Sequence, residues 1–153
     1  MQIALYQPDI AQNAGTILRL AACMDVPVHI IEPCGFPFSI KAFRRSGMDY
    51  LDHVDVTRHV DFDAFKLWRN ESGARLVLLT TKASKPYTDC SFKSDDILLL
   101  GRESAGVPDD VHAEVDIRAL IPMKEGMRSI NVAMAASMVL GESLRQTNTF
   151  PKA

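Results

Sequence analysis

The sequence predicts a single α/β domain built on a mainly parallel β-sheet that carries helices on both faces. Short apolar runs alternate along the chain with helical patterns, which is the order expected of β-α-β units. Two of these runs, residues 77–79 and 97–100, are apolar at every position rather than at alternate positions. Such runs are typical of strands that helices cover on both sides, so we expect both at the centre of the sheet.

The length and composition fit one compact domain over residues 1–153. With 153 residues and 47% hydrophobic content, the chain can bury roughly two-thirds of its unfolded surface without disulfides. The three cysteines are widely spaced and form no C-x-x-C pair, so we expect neither a disulfide framework nor a zinc site. The sequence shows no export signal, and its longest apolar run is too short to span a bilayer. We therefore expect a cytoplasmic protein that does not enter membranes.

The individual elements follow from the apolar runs and from capping residues. Strands are predicted at 2–6, 28–31, 76–80, 97–100 and 115–120. A first helix is predicted over 13–25, with Asn13 as its N-cap and Pro27 preventing its continuation. A second helix is predicted over 61–71 and ends near Gly73.

The last predicted helix, 129–146, is apolar on two sides. One stripe comprises Ala133, Ala136, Leu140 and Leu144, and the other comprises Ile130, Met134 and Met138. A helix that is apolar on both sides needs cover on both sides, and a second subunit is the natural cover. We therefore expect a homodimer formed through this helix, with close backbone approach near Ala135, Ser137 and Gly141. A fully buried central helix of a monomer is the alternative.

The overall charge does not favour nucleic-acid binding, because the formal net charge is −2 and phosphate binding needs a basic surface. Such a surface would have to be local. The best candidate is the cluster of Lys41, Arg44 and Arg45 around Phe43, whose simpler interpretation is a solvated helix face.

Three segments, 7–19, 98–108 and 121–133, follow predicted strands and carry glycines and polar residues. Open α/β sheets bind ligands beyond the carboxyl ends of their strands, so these segments are the candidates for a site. The first segment leads into a helix with Asn13 near its start and Arg19 further along. Free N–H groups at a helix start favour anions.

The second segment leaves a buried strand at Gly101 and reaches Gly106 after an Arg–Glu pair. Glycines there let the backbone approach a ligand closely, and a tight turn before a helix at Pro108 explains them equally well. A P-loop is disfavoured because no Lys-Ser/Thr pair follows Gly106. The third segment brings Ser129 and Asn131 to the start of the last helix, where Ser129 as an ordinary N-cap is the alternative.

Seven short blocks occur together in a fixed order. They are N-x-G-x-x-x-R at 13–19, Ile-Glu-Pro at 31–33, Arg-Arg-Ser-Gly-Met-Asp-Tyr at 44–50, Leu-Thr-Thr-Lys at 79–82, L-G-x-E-x-x-G at 100–106, Ile-Pro-Met at 121–123 and Arg-Ser-Ile-Asn at 128–131. In this order they resemble the SPOUT superfamily of methyltransferases, specifically its minimal tRNA wobble 2′-O-methyltransferases, the TrmL or YibK-like group. The resemblance spans nearly the whole chain.

The resemblance implies a deep trefoil knot in the C-terminal part of the chain and an S-adenosylmethionine pocket within it. The implied cofactor residues are Leu79, Thr80, Gly101, Ile121, Met123 and Ser129. The implied reaction is 2′-O-methylation of tRNA nucleotide 34, a cytidine or a modified uridine, with leucine isoacceptors as the expected substrates. The implied catalytic residues are Asn13, Arg19 and Asn131, and the implied substrate residues are Glu103, Lys41, Arg44, Arg45 and Arg128. The basic cluster thus becomes an RNA-facing element.

The expected chemistry is an in-line displacement that needs no metal, because the methyl group of the cofactor is already activated. An arginine side chain stays protonated in proteins, so we expect Arg19 to stabilise the developing alkoxide and fix the adjacent phosphate. Asn13, Ser129 and Asn131 are expected to orient the ribose and the cofactor carboxylate.

Two alternative functions remain at the level of sequence. One is the same chemistry on ribosomal RNA, which usually comes with an added RNA-binding domain. The other is a non-catalytic RNA- or ligand-binding dimer, which does not need Arg19, Glu103 and Asn131 together. Ala133, Met134 and Gly141 stand where familiar members carry a polar pair and a tyrosine, so we expect dimer packing to differ in detail.

Overall fold

The computed structural model describes residues 1–45 and 49–152, except for the side chain of Arg44. The strands are β1 (Gln2–Tyr6), β2 (Val28–Ile31), β3 (Val56–His59), β4 (Leu76–Leu79), β5 (Ile97–Leu100) and β6 (Ile117–Ala119). The α-helices are α1 (Ala11–Met24), α2 (Ile40–Arg45), α3 (Phe62–Ser72), α4 (Asp109–Ala113) and α5 (Val132–Thr147), and 3₁₀ turns cover Asp49–His53 and Tyr87–Asp89.

The strands form one parallel sheet in the order β3-β2-β1-β5-β4-β6. Successive strand residues point to opposite sides of it. Ile3 and Leu5 of β1 belong to a core shared with α1 and α5, whereas Ala4 and Tyr6 belong to a second core shared with α3 and α4. The predicted α/β fold is confirmed, and both fully apolar strands, β4 and β5, lie inside the sheet.

The start of α1 differs from the prediction. The helix begins at Ala11, and Ile10 precedes it without a side-chain cap, so the prediction that Asn13 is the N-cap is wrong. Asn13 lies within the first turn, and its side chain is used in contacts with other segments. The second predicted helix is confirmed as α3, which Asp61 caps by accepting a hydrogen bond from the Ala64 N–H at 2.8 Å.

The N-cap of α5 is Asn131 rather than Ser129. The Asn131 side chain accepts hydrogen bonds from the backbone N–H groups of Ala133, at 2.8 Å, and Met134, at 3.3 Å. The alternative with Ser129 as the cap is therefore wrong, and the helix begins three residues later than predicted. Strand β3 is not predicted by the sequence, because its Val-Thr-Arg-His sequence has two exposed residues and no continuous apolar run.

The two apolar stripes of α5 have different environments. The stripe of Ala133, Ala136, Leu140 and Leu144 is buried against α1 and the sheet. In the other stripe, Met134 is 62% exposed and Met138 is 42% exposed, so the alternative of a fully buried central helix is wrong. A Cβ added at Gly141 would meet no described atom within 4 Å, so the close approach predicted there is not made within one chain.

The chain segments that follow β4 and β6 are joined to each other. The Leu120 N–H donates to the Lys85 carbonyl, and the Tyr87 N–H donates to the Leu120 carbonyl, both at 2.8 Å. After these contacts the chain returns to the β1–β5 side, where α5 packs on α1 and β5. Among the described residues, no helix combines the length and apolarity that crossing a membrane requires.

A pair of buried histidines links β1, β2 and β3. His29 Nδ1 lies 3.0 Å from His59 Nε2, and His29 Nε2 lies 2.8 Å from the Gln2 side-chain oxygen. That oxygen only accepts hydrogen bonds, so His29 carries its proton on Nε2 and accepts from His59 through Nδ1. Burial, together with the charge of His59, lowers the pKa of His29 from 6.5 to about 4, and burial also lowers the pKa of His59.

The histidine pair should make the protein less stable in mild acid. Below pH 6.5 the unfolded chain takes up a proton on His29 that the folded protein does not take up until about pH 4. The free energy of unfolding should therefore fall as the pH falls through this window, by at most about 3 kcal/mol for this residue.

Urea denaturation at a series of pH values measures this effect. A His29→Gln variant keeps a donor and an acceptor at this position but does not titrate, so its profile between pH 4 and 6.5 should be flatter. His53→Gln, at an exposed position, serves as the control. Parallel profiles for the wild type and His29→Gln would contradict the assignment.

Candidate functional site

A cavity of about 500 Å³ opens at the carboxyl edge of the sheet, beyond the ends of β4, β5 and β6. Its volume lies within the range of small-molecule sites, roughly 300–1,000 Å³, and this edge is where parallel α/β sheets bind ligands. The start of α5 and the loop that follows β5 close two further sides. The apolar side chains of the lining are Ile10, Leu78, Leu79, Leu100, Ala105, Val107, Ala119, Ile121, Met123, Ile130, Val132 and Ala135.

Most of the residues predicted to form the site line this cavity. They include all six predicted cofactor residues, namely Leu79, Thr80, Gly101, Ile121, Met123 and Ser129, and four of the other predicted residues, namely Asn13, Glu103, Arg128 and Asn131. Arg19, Lys41 and Arg45 do not line it. The Arg44 side chain and residues 46–48 of the predicted RNA-facing block lie outside the described residues.

The loop after β5 is a tight turn that also forms a wall of the cavity. The Arg102 N–H donates to the Gly106 carbonyl at 3.0 Å, and the Gly106 N–H donates back to the Arg102 carbonyl at 2.8 Å. A Cβ on Gly101 would lie 2.7 Å from the Gly106 carbonyl carbon, and Gly106 has a φ of +63°. The tight-turn interpretation of these glycines is therefore confirmed. The turn also borders the cavity, and close approach of its backbone to a ligand stays a prediction.

A chain of hydrogen bonds joins the three predicted segments. Glu103 Oε1 accepts from the Asn13 side-chain amide at 3.2 Å, and Asn13 Oδ1 accepts from the Asn131 amide at 2.9 Å. Asn131 Oδ1 in turn caps α5. We call this series, from Glu103 through Asn13 and Asn131 to the start of α5, the polar chain.

Asp9 supports the polar chain, and the sequence gives no indication of this role. The Asp9 N–H donates to Glu103 Oε2 at 2.8 Å, and its carboxylate accepts from both the N–H and the hydroxyl of Ser104. Gln7, with a φ of +44°, turns the backbone at the end of β1 toward this contact. Asp9 and Ser104 are 95 positions apart, so no local pattern could have paired them.

The cavity lining contains His112 and four charged side chains, Lys82, Arg102, Glu103 and Arg128. Burial, assisted by the positive charges of Lys82 and Arg118, lowers the pKa of His112, so its ring is neutral at neutral pH. Arg102 has a buried Nε without a hydrogen-bond partner among the described residues, and its guanidinium carbon lies 5.8 Å from the centroid of the Tyr6 ring. An unpaired buried donor costs about 1–3 kcal/mol, so Arg102 suits a ligand that offers an acceptor.

Arg19 lies on the exposed surface of α1, outside the cavity lining. Its Nη2 donates to the Tyr50 hydroxyl at 3.3 Å, and its guanidinium carbon lies 4.5 Å from the centroid of the Tyr50 ring. Tyr50 belongs to the 49–53 turn, which packs on both α1 and α2. Lys41 and Arg45, both exposed on α2, therefore belong to the same part of the surface as Arg19.

An exposed apolar face adjoins the mouth of the cavity. Its residues are Ile10, Met127, Ile130, Met134 and Met138, which are 39–62% exposed. Ile10 and Ile130 also line the cavity. Whatever covers this face therefore also reaches the mouth of the cavity.

Comparisons with known proteins agree on one family. Residues 1–141 match the model of the SpoU rRNA Methylase family. A protein of Beijerinckia indica named tRNA (cytidine(34)-2'-O)-methyltransferase is 63% identical over 150 residues, which cover 98% of this chain and 94% of the relative.

Two solved structures share the fold. A structure described as giving insights into the 2-OH methylation of C/U34 on tRNA has a TM-score of 0.87 and 39% identity, with 95% of this chain and 94% of that chain covered. An AdoMet-bound rRNA methyltransferase from Sinorhizobium meliloti has a TM-score of 0.84 and 27% identity, with 94% of this chain and 55% of that chain covered.

Replacing Glu103 by glutamine should lower the free energy of unfolding by about 1–3 kcal/mol. Both carboxylate oxygens accept hydrogen bonds, so a glutamine NH₂ group would face a donor at one of the two positions. If Asn13 turned its amide to compensate, it would present its NH₂ group to the NH₂ group of Asn131. Urea denaturation measures the loss, with Glu125→Gln in an exposed loop as the control, and equal stabilities of the two variants would contradict a directional polar chain.

Proposed function

The chain belongs to the SpoU rRNA methylase family, and on this premise we propose that it transfers a methyl group from S-adenosylmethionine to the ribose 2′-hydroxyl of nucleotide 34 in tRNA. Relatives that match nearly the full length are named tRNA (cytidine(34)-2'-O)-methyltransferase. The observation that carries the proposal is the meeting of the polar chain with the cavity at the strand ends. The shared fold implies the C-terminal trefoil knot, and we expect the reaction to take place in the cytoplasm.

The cavity fits S-adenosylmethionine in size and in the chemistry of its walls. Apolar side chains at the ends of β4, β5 and β6 suit the adenosine part, and the unpaired Nε of Arg102 suits the carboxylate. The neutral ring of His112 adds no positive charge near a cationic ligand. The residues that would hold the cofactor are Leu79, Thr80, Gly101, Ile121, Met123 and Ser129, all of which line the cavity.

The protein has to orient the ribose hydroxyl, stabilise the charge that develops on its oxygen and release the hydroxyl proton to solvent. The cofactor supplies a methyl group on a sulfonium, which is ready for displacement. Asn13 and Asn131 orient the ribose, because the polar chain fixes both amides next to the cavity. Fixed alignment of reacting groups can contribute about 7 kcal/mol or more to a rate enhancement. Arg19 supplies the positive charge for the alkoxide.

Arg19 does not line the cavity of its own chain, so its role depends on a second subunit. We propose a homodimer that buries the apolar face formed by Ile10, Met127, Ile130, Met134 and Met138. A partner on this face reaches the cavity mouth, because Ile10 and Ile130 belong to both surfaces. Helix α1, which carries Arg19, packs beside α5. We propose that in this dimer Arg19 of one protomer reaches the cavity of the other.

The tRNA backbone is bound by the cations beside Arg19. Lys41 and Arg45 are exposed on α2, and Arg44 lies between them in the same helix. Phosphate contacts of this kind give most of the salt-dependent affinity for nucleic acid. A local cluster allows a chain with a net charge of −2 to bind RNA, and Arg128 at the cavity adds a further contact.

A methylation assay tests the proposed reaction. Purified protein is incubated with S-adenosylmethionine and unmodified transcripts of leucine tRNAs, and the products are analysed by mass spectrometry of nuclease fragments. We expect one methyl group on the ribose of nucleotide 34. The control is the same tRNA with a 2′-deoxynucleotide at position 34, which should accept none. Methylation of ribosomal RNA fragments in place of tRNA would support the alternative substrate, and cofactor binding without transfer to either RNA would support a non-catalytic binder.

Mixed dimers test whether Arg19 acts across the subunit interface. Arg19→Ala and Asn131→Ala variants should each have very low turnover. When the two are unfolded together and refolded, a mixed dimer has one site with both residues intact only if Arg19 serves the partner's cavity. We therefore expect turnover to reappear at about a quarter of the wild-type value, since half of the randomly paired dimers are mixed and each has one intact site of two. No recovery would place Arg19 and Asn131 in the same site of one chain.

A further inference from the structure

Arg19 is held without being neutralised. Many described arginines are paired with carboxylates, as in Arg75 with Asp96 at 2.7 Å and Arg145 with Glu142 at 2.8 Å. The contacts of Arg19 within the described residues are instead the ring and the hydroxyl of Tyr50. An aromatic ring attracts a cation through its quadrupole and leaves the net charge in place.

We propose that Tyr50 is the positioning residue for Arg19 in the methyl transfer, which rests on the proposed function. The ring lies 4.5 Å from the guanidinium carbon, and the hydrogen bond to the Tyr50 hydroxyl uses one of the five N–H donors of arginine. The remaining donors and the full positive charge stay available for a phosphate or an alkoxide.

The backbone of Tyr50 is well placed for this task. Leu51, the next residue, is only 5% exposed and belongs to the core shared with α1, and the 49–53 turn packs against α1 itself. Tyr50 itself is 39% exposed. Its ring therefore contacts Arg19 at the surface, while the neighbouring Leu51 anchors the backbone in the core. A flexible arginine held in this way loses less conformational freedom when the substrate arrives.

The arrangement also links substrate binding to catalysis. Tyr50 lies in the same surface element as Lys41 and Arg45, since the 49–53 turn packs on α2. A tRNA bound by Lys41 and Arg45 therefore lies next to the 49–53 turn, whose Tyr50 contacts Arg19. Tyr50 thus sets the position of the arginine relative to the docked backbone.

Kinetics of Tyr50 variants test the proposal. Tyr50→Leu should lower kcat about ten-fold and change the tRNA KM less than about two-fold, because the arginine loses its orientation and not its charge. Tyr50→Phe keeps the ring but loses the hydroxyl, and its kcat should fall about two- to three-fold. Phe150→Leu removes a different exposed ring, 48% exposed, and should leave kcat unchanged.

A double-mutant cycle separates positioning from direct RNA contact. In the Arg19→Ala background, Tyr50→Leu should have no further effect on kcat, because its action passes through the arginine. If Tyr50 instead stacks on a base of the tRNA, its loss should raise the tRNA KM in both backgrounds. That outcome, or additive losses of kcat, would overturn the proposal.

An NMR measurement on the protein alone tests the contact independently of any reaction. The Arg19 Nε–H signal, identified by its absence in Arg19→Ala, should have a high heteronuclear NOE in the wild type and in Tyr50→Phe, and a low one in Tyr50→Leu. A mobile Arg19 in the wild type would overturn the proposal even if the methylation assay succeeds. An ordered Arg19 in a protein that does not methylate tRNA would overturn the proposed function alone. If Tyr50→Leu does not fold, the proposal is still tested by the heteronuclear NOE of Arg19 in the wild type and by the fall in kcat of Tyr50→Phe.

Discussion

The direction of the hydrogen bonds in the polar chain is the constraint on which the site depends. At one end stands the Glu103 carboxylate, which as an anion only accepts, and at the other end stand the backbone N–H groups of α5, which only donate. The amides of Asn13 and Asn131 between them have one satisfactory orientation each. Because these residues come from α1, the loop after β5 and the start of α5, their order fixes three elements together around the cavity.

A second set of contacts keeps the acceptor end of the polar chain in place. Asp9 holds Glu103 through its backbone and Ser104 through its side chain. The backbone of Asp9 is closely packed, since a Cβ on Gly35 would lie 3.0 Å from the Asp9 Cα. Gln7 has a positive φ, which costs about 1–2 kcal/mol of backbone strain. This conformation turns the chain so that Asp9 reaches Glu103 and Ser104. Strain next to a cavity is characteristic of functional sites.

The sequence predicts what is repeated or local, and it does not predict pairings between distant residues. Strands β4 and β5 are recognisable because burial on both faces imposes an apolar residue at every position. The prediction that Asn13 caps α1 fails because its side chain instead contacts Glu103 and Asn131, which are 90 and 118 positions away. The Asp9–Ser104 contact has no local signal for the same reason. Strand β3 escapes prediction because an edge strand with polar, exposed residues lacks the pattern of a buried one.

The resemblance to a family named ten of the residues that line the cavity. The structure adds where the charged side chains lie relative to it. Within the cavity, His112 is neutral and Glu103 accepts two hydrogen bonds, whereas Lys82, Arg102 and Arg128 bring positive charge to the lining.

Most of the cations that we propose to bind RNA lie outside the cavity, on α2, and Arg19 on α1 keeps its net charge because an aromatic ring, rather than a carboxylate, contacts it. A carboxylate in the position of Tyr50 would hold the arginine as firmly but would cancel the charge that a developing alkoxide requires. The aromatic partner therefore fits the role that we propose for Arg19, in which its net positive charge acts on the alkoxide.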